Sequence, residues 1–500
     1  MNNSLKKRTN LKKISLRELS SASLTNGFFL GLQTLLFIVL TPMILKALGA
    51  ETYGIWTMLM AITGLAGLAE FGIGGALVKY VAQYSQTTAN ESHELSTIIS
   101  FSFIFLLCAG ILVGGVMYAL RYYISNKISS QTILPSEIEK TIIIAAIGMI
   151  PIFISQLCKG ILLGLIYNKI ICGVEFIKNA AIQISILLIG IHCNSIVNII
   201  TVNVGINIII LILLIIIVIN VTKCYHIKIN IKRPLIREFL NYSFFSWITN
   251  WGAILFSQAD RLVVGLVLGP IAAGAYSICT GVAGRLNNLA SSLTSVLVPF
   301  VSSYKVNGIG EDIRKAFYHS SRLVACLLAI IGIILIIWSK EILDIWISSQ
   351  FANSYSDIFR ILVICYVLFS MAAPGYNICL GLGRPELPAI VSFASAFLMI
   401  LLVFILAPPF GLTGAAIANL VYSLAYVVNG YVAHVLGLKR VSFITKSIGP
   451  PIFVLLTVYL IISIGNYKLI SLIITALISF IALLWMAINE LSGNVLYTKR

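Results

Sequence analysis

The sequence predicts an all-α polytopic membrane protein of about fourteen transmembrane helices, arranged as two pseudo-symmetric six-helix lobes with a C-terminal helix pair. Three observations predict it. Hydrophobic residues make up 59% of the 500 residues and charged ones only 10%, with a mean hydropathy of +1.00, a composition that water would not keep in solution. Apolar stretches of about 20 residues, the length that crosses ~30 Å of hydrocarbon as a helix, follow one another along almost the whole chain. The chain also contains a weak copy of itself, displaced by about 220 residues. Leu48-Gly49 returns as Leu268-Gly269, Val81-Ala82-Gln83-Tyr84 as Val301-Ser302-Ser303-Tyr304, and Cys158…Gly164 as Cys379…Gly383. Internal symmetry of this kind in a membrane protein is the mark of a carrier whose two lobes rock around a site between them.

The expected spans lie near 22–45, 53–77, 97–120, 141–164, 170–190, 196–220, 241–266, 272–300, 319–339, 358–380, 388–408, 412–436, 448–465 and 468–489. Residues 1–21 are basic and polar with no cleavable apolar core behind them, so the first helix is expected to stay as an anchor. With the N-terminus in the cytoplasm, the inner segments collect 23 Lys and Arg residues and the outer ones 7. That positive-inside bias places both termini in the cytoplasm. The basic segment from Lys223 to Arg237 is the natural linker. It divides the chain into an N-lobe (22–220), a linker (221–240), a C-lobe (241–436) and an appended pair with a short tail (437–500).

A net charge of +17 raises nucleic acid as a partner, but the basic residues sit in short loops beside helices. They are better explained by topology and by anionic lipid, and no nucleic acid is expected. The nine cysteines are scattered through apolar helices with no C-x-x-C pair, so neither disulfides nor a metal site is implied. No P-loop and no H-E-x-x-H is present, and the longest outer loop, Arg121 to Lys140, is too short for a catalytic domain. The sequence therefore implies no enzyme and no cofactor.

Four segments carry a resemblance: KALGAETYGIW (46–56), AEFGIGGALVKYVAQ (69–83), QADRLVVGLVLGPIAAGAYSI (258–278) and CLGLGRPELP (379–388). In that order, across both lobes, the chain resembles the polysaccharide-transport branch of the multidrug/oligosaccharidyl-lipid/polysaccharide exporter superfamily, the Wzx-type flippases of O-antigen or capsule repeat units. The resemblance implies an inverted V of two bundles in a bacterial cytoplasmic (inner) membrane. The cargo would be an undecaprenyl-diphosphate-linked oligosaccharide, moved by alternating access. The implied partners are membrane lipids, a proton or sodium ion as coupling ion, and the polymerase and chain-length proteins of the same pathway. Two alternatives stand beside it: a multidrug cation antiporter of the same fold, and a membrane O-unit polymerase, which would need the large outer loop this chain lacks.

Charges within the spans are costly, ~2.5–3.5 kcal/mol each at a helix centre, so they mark cavities or partners. The candidates are Glu70, Lys159, Glu175, Lys178, Asp260, Arg261 and Arg285. Arg285 shares a helical stripe with Asn288 and Ser292 and is expected to face a wet cavity, where its planar fork matches phosphate oxygens. A salt bridge to Asp260 or Glu70 is its structural alternative. Lys178 lies beside the stripe Glu175, Asn179 and Gln183. It either faces Arg285 across the lobes or pairs locally with Glu175. Lys159 is close enough to a helix end to snorkel. Helix seven shows a stripe of Ser243, Ser246, Asn250, Ser257 and Arg261. Asp260, Glu70 and Glu175 are the coupling or gating candidates, with a tie to Lys79 or a helix-end dipole as the alternatives for Glu70. Tyr53, Trp56, Trp338 and Trp346 fall near helix ends and are expected in the interfacial belt. Four internal cations against three acids favour an anionic cargo.

Cysteines introduced at the N-terminus and within Lys223 to Arg237 are expected to resist membrane-impermeant thiol labelling in intact cells; labelling of either from outside contradicts the two-lobe topology.

Overall fold

The structure, a computed structural model, describes residues 16–84, 92–129, 133–221, 233–304, 311–439, 443 and 447–464. The N-terminal tail to residue 15, most of the 221–240 linker and the expected span 468–489 lie outside the described residues. Everything described is helical or a turn. In chain order the helices are α1 (Leu16–Leu65), α2 (Ile73–Tyr84), α3 (Ser92–Ala119), α4 (Arg121–Ile128), α5 (Pro135–Gly164), α6 (Asn168–His192) and α7 (Ile196–Val221). They continue as α8 (Arg233–Leu268), α9 (Pro270–Thr294), α10 (Leu297–Tyr304), α11 (Glu311–Ile337), α12 (Ser339–Trp346) and α13 (Ser349–Ser370). The last four are α14 (Ala373–Gly381), α15 (Glu386–Ala418), α16 (Tyr426–Val435) and α17 (Gly449–Ile464). Short 3-10 turns at Ala66–Glu70 and Asn419–Ala425 link α1 towards α2 and α15 to α16.

Among the described residues eight helices are long and apolar enough to cross a membrane, or nine when α8, bent by 49° between Leu235–Gly252 and Ser257–Leu268, counts as one span. Two of these runs, Gly27–Glu70 and Glu386–Val435, are each twice the length one crossing needs at 1.5 Å per residue. Each is broken by a glycine in a conformation that L side chains avoid: Gly49 at φ 78°, ψ 162° and Gly411 at φ 59°, ψ −145°. Each run therefore covers two of the expected spans. The 25-residue α9 is long enough to cross but falls outside the apolar set, because polar residues line one of its faces. The exterior is apolar, with Leu35, Ile209, Ile216, Phe404 and others exposed, as lipid requires.

The internal repeat is visible in the backbone. Gly49 and Gly269 (φ 93°, ψ 170°) break the chain at matching places. Ile166 (φ 66°) matches Gly383 (φ 72°), and Asn194 (φ 41°) matches Gly411. After α5 the Tyr167 N–H bonds Leu162 O, and after α14 the Arg384 N–H bonds Cys379 O, the same six-to-one helix closure. Packing repeats as well. A methyl on Gly164 would touch Val81 Cβ at 2.6 Å and Val78 O at 3.0 Å, while one on Gly381 would touch Val301 Cβ at 2.8 Å and Val298 O at 3.0 Å.

The two lobes meet at both ends of the bundle. At one end the turn before α2 lies against α8: a Cβ on Gly72 would sit 2.2 Å from Ser243 O, the Trp247 indole N–H donates to Leu68 O at 2.5 Å, and the Tyr80 hydroxyl bonds Glu238 Oε1 at 3.1 Å. At the other end the segment after Gly49 packs on α9, where a Cβ on Gly54 would fall 1.9 Å from Pro270 O and one on Gly274 would lie 3.2 Å from Gly54 Cα. Only backbone fits there. Gly54→Ala is expected to lower the thermal midpoint of the purified protein, through overpacking of about 1–3 kcal/mol. Gly115→Ala, with nothing within 4 Å, should leave it unchanged. Equal midpoints for both variants would contradict the close lobe contact.

Candidate functional site

Between the lobes lie two adjoining cavities, of about 820 and 640 Å³. They share a wall of six residues: Phe37, Tyr53, Trp56 and Met60 from α1, Arg261 from α8 and Arg285 from α9. The larger opens onto α9, α13 and the turn after α15, through Asn287, Asn288, Tyr366 and Tyr422. The smaller opens onto α6 and α7, through Lys178, Asn179, Gln183, Asn203 and Asn207. Of the expected site residues, the structure thus brings together Arg285, Arg261, Lys178 and Asn288.

Arg285 lies on the α9 face that also carries Ser277, Gly281, Gly284, Asn288, Ser291 and Ser295. Ser292, expected on the same stripe, lines neither cavity, and its hydroxyl donates within its own helix to Leu289 O at 2.8 Å. The guanidinium carbon of Arg285 sits 4.8 Å from the centroid of the Phe37 ring, a cation–π contact. The Nε atoms of Arg285 and Arg261 are both buried without a hydrogen-bond partner among the described residues. Among those residues neither arginine is ion-paired to a carboxylate, so the expected alternative bridge from Arg285 to Asp260 or Glu70 is not made.

Each acid is occupied elsewhere. Asp260, fully buried, accepts from the Arg261 backbone N–H at 2.7 Å and lies beside Tyr276, whose hydroxyl accepts from Asn419 Nδ2 at 2.6 Å. This chain ties α8 to α9 and to the end of α15. Glu70 Oε1 accepts the Gly74 N–H at 2.9 Å, capping the first turn of α2, the helix-end role expected as one of its alternatives. Glu175 bridges two lysines, with Lys159 Nζ at 2.6 Å from one oxygen and Lys178 Nζ at 2.6 Å from the other. Lys159 therefore turns inward to α6 and does not snorkel. No carboxylate lines either cavity among the described residues, while three cations do.

Three expectations are corrected. Asn250 is exposed and lines neither cavity, because the 49° bend in α8 swings the segment before Gly252 off the face that carries Ser257 and Arg261. Ser243, on that same segment, is buried against Gly72. Tyr53 and Trp56 stand in the shared cavity wall, their rings 5.4 Å apart, and Trp346 donates its indole N–H to Ile38 O at 2.6 Å across the lobes. Their places near helix ends hid this. The spacing Tyr53, Trp56/Thr57, Met60, Thr63 was the available signal, since it is one polar-aromatic stripe of a helix. Phe37, Tyr366, Tyr422 and Asn377 gave none in sequence.

The comparisons with known proteins bear on the family and the fold. The family profile described as polysaccharide biosynthesis protein matches residues 19–305, and the MatE profile matches 246–405. The chain belongs to the polysaccharide biosynthesis protein family. A Shigella flexneri protein named as an O-antigen transporter is 23% identical over 417 residues, covering 79% of this chain and 93% of its own. EpsK, an uncharacterized membrane protein of Bacillus subtilis, is 27% identical over 220 residues, 43% of each chain, and a Haloferax volcanii protein named as a low-salt glycan biosynthesis flippase is 25% identical over 217. Those two alignments span less than half of the relatives' length. In fold, the lipid II flippase MurJ in an inward closed conformation matches with a TM-score of 0.65 at 17% identity over 92% of this chain and 98% of that one. An inward-facing multidrug MATE transporter matches with 0.66 at 13% over 83% and 98%. The chain is thus a multi-pass membrane protein of a transporter family.

Tyr276→Phe removes the hydroxyl that stands beside Asp260 and accepts from Asn419 Nδ2. It is expected to cost about 1–3 kcal/mol, the penalty of a buried donor losing its acceptor, read as a lower thermal midpoint in detergent. Asn419→Ala should cost less, because it leaves no amide donor unpaired and Tyr276 stays beside Asp260. An unchanged midpoint for Tyr276→Phe would contradict this tie.

Proposed function

We propose that this protein flips undecaprenyl-diphosphate-linked oligosaccharide repeat units, of O-antigen or capsule type, across the bacterial cytoplasmic membrane by alternating access, with both termini in the cytoplasm. The observation that carries the reading is the cavity wall: Arg261, Arg285 and Lys178 with no lining carboxylate. A diphosphate is a compact dianion or more, and it is constant across substrates whose sugars vary. Arginine's planar fork takes its oxygens two at a time, and the low dielectric between helices strengthens the attraction. A multidrug cation antiporter would need acids in this wall. The chain makes and breaks no bond in this role.

The lobes 22–220 and 241–436 supply opposite sides of the grip, Lys178 from one and the two arginines from the other. Tyr53, Trp56, Asn287, Asn288 and Asn377 offer the aromatic faces and amides that sugars take. The lipid tail stays in the bilayer beside the apolar exterior. Asp260 acts as a structural gate at the α8–α9 joint, and Glu70 and the Glu175 cluster are coupling elements on the N-lobe, with a proton or sodium ion as the driving species. The polymerase and chain-length proteins of the pathway take over the flipped unit. The relatives named as an O-antigen transporter and as a glycan flippase support the cargo class.

Loss of the protein is expected to abolish surface polysaccharide while lipid-linked units accumulate on the cytoplasmic side. Arg285→Ala and Arg285→Glu should insert at normal levels and lose flipping at least tenfold, the factor that ~1.4 kcal/mol corresponds to. Arg285→Lys should keep part of the activity through charge without the fork. Wild-type polysaccharide from Arg285→Ala would reject Arg285 as a diphosphate ligand, and single repeats on the outer leaflet in the deletion strain would favour a polymerase.

A further inference from the structure

The cluster behind Lys178 has a chemistry of its own. Glu175 holds two ammonium groups, 2.6 Å each, one from its own helix at i+3 and one from α5. All three side chains are mostly buried, at 17–25% exposure. Only Lys178 lines the cavity; Glu175 and Lys159 stand behind it. The two lysines repel each other and share one carboxylate, so the cluster carries a net charge of +1 and cannot neutralise itself. A second carboxylate, Glu70, lies within electrostatic range of Lys159, but one of its oxygens is spent on the Gly74 N–H. The cluster is therefore one anion short, and the side where an anion can arrive is the cavity.

Resting on the diphosphate reading above, we propose that Glu175 is a resident counter-anion with which the substrate diphosphate competes for Lys178, so that binding hands Lys178 from carboxylate to phosphate and leaves Glu175 to Lys159 alone. In the empty carrier one carboxylate is shared between the two lysines, and in the loaded one each lysine has its own anion. The exchange sets affinity, because the lysine is available to substrate only in the fraction of molecules where Glu175 has released it. It also allows release, since the carboxylate can retake Lys178 when the cavity opens to the far side. Glu175 is thus a positioning residue that weakens substrate binding, and Lys159 is the group that keeps Glu175 from holding Lys178 too tightly.

Two variants must then move affinity in opposite directions. In purified full-length protein titrated with undecaprenyl diphosphate at fixed ionic strength, Glu175→Gln should bind on the order of tenfold tighter than wild type, if Lys178 is free about one-tenth of the time at rest. Its flipping turnover in proteoliposomes should fall, because release is slower. Lys159→Met should bind several-fold weaker, with Glu175 left to Lys178 alone, and Lys178→Ala added to Glu175→Gln should erase the gain. A merely structural ion-pair cluster would weaken binding in both single variants. Weaker or equal binding by Glu175→Gln, tighter binding by Lys159→Met, or a gain that survives Lys178→Ala each overturns the exchange. If Glu175→Gln does not fold, Glu175→Asp decides: its shorter side chain holds Lys178 less well, so tighter binding is expected, and weaker or equal binding overturns the exchange. Where wild type binds and Arg285→Ala does not, such a result rejects the exchange alone; no saturable binding by wild type rejects it together with the diphosphate reading.

Discussion

The structure turns on positive charge that no carboxylate meets from within the space between the lobes, Lys178 having its partner Glu175 behind the wall. Arg261 and Arg285 stand in one wall and Lys178 in the facing one, in a medium where an unpaired charge is expensive. The acids that could have neutralised the arginines are present and are held away. Asp260 is turned to Tyr276 and the Arg261 backbone, Glu70 to the start of α2, and Glu175 to the lysines behind the wall. Two of those restraints reach across helices, Asp260 beside Tyr276 of α9 and Glu175 with Lys159 of α5, while Glu70 caps the start of α2. The same interactions that build the lobes therefore keep the cavity electropositive.

The closeness of the lobes serves the same end. A cavity wall made from two bundles can grip a ligand only if the bundles approach at the ends, and here they do so backbone to backbone, at Gly54 with Pro270 and at Gly72 with Ser243 and Trp247. Gly49 and Gly269, both in conformations that favour glycine, place the segments that follow them, one carrying Tyr53 and Trp56 and the other leading to Arg285. The glycines of the repeated motif are thus explained by approach and turning, and the arginines by what the approach encloses. Phe37, lodged against Gly281 and under Arg285, joins the two.

Much of this was legible in the sequence. The repeat announced itself through Leu48-Gly49 and Leu268-Gly269, and the rarity of charge within apolar helices pointed to Arg285, Arg261 and Lys178. The pairing of Lys178 with Glu175 was visible as one of two options and the helix-end place of Glu70 as one of three, and sequence spacing had no means of choosing among them. What misled was the assumption of straight, separate helices. The bend in α8 removed Asn250 from the stripe that its spacing shares with Arg261, and the run through Gly49 made Tyr53 and Trp56 cavity residues although they look like a membrane-surface belt. Tyr366, Tyr422 and Asn377 come from helices that pattern alone does not bring to the site, since their neighbours are set by tertiary packing.

The central claim is that the cavity selects a diphosphate by charge. The most direct measurement is equilibrium binding of undecaprenyl diphosphate to the purified protein across a range of ionic strength, beside undecaprenyl monophosphate and a lipophilic cation of comparable size to the headgroup. The account predicts saturable binding of the diphosphate, weaker binding of the monophosphate, a steady loss of affinity as salt screens the cations, and no saturable binding of the cation. Saturable binding of the cation with none of the diphosphate would contradict it.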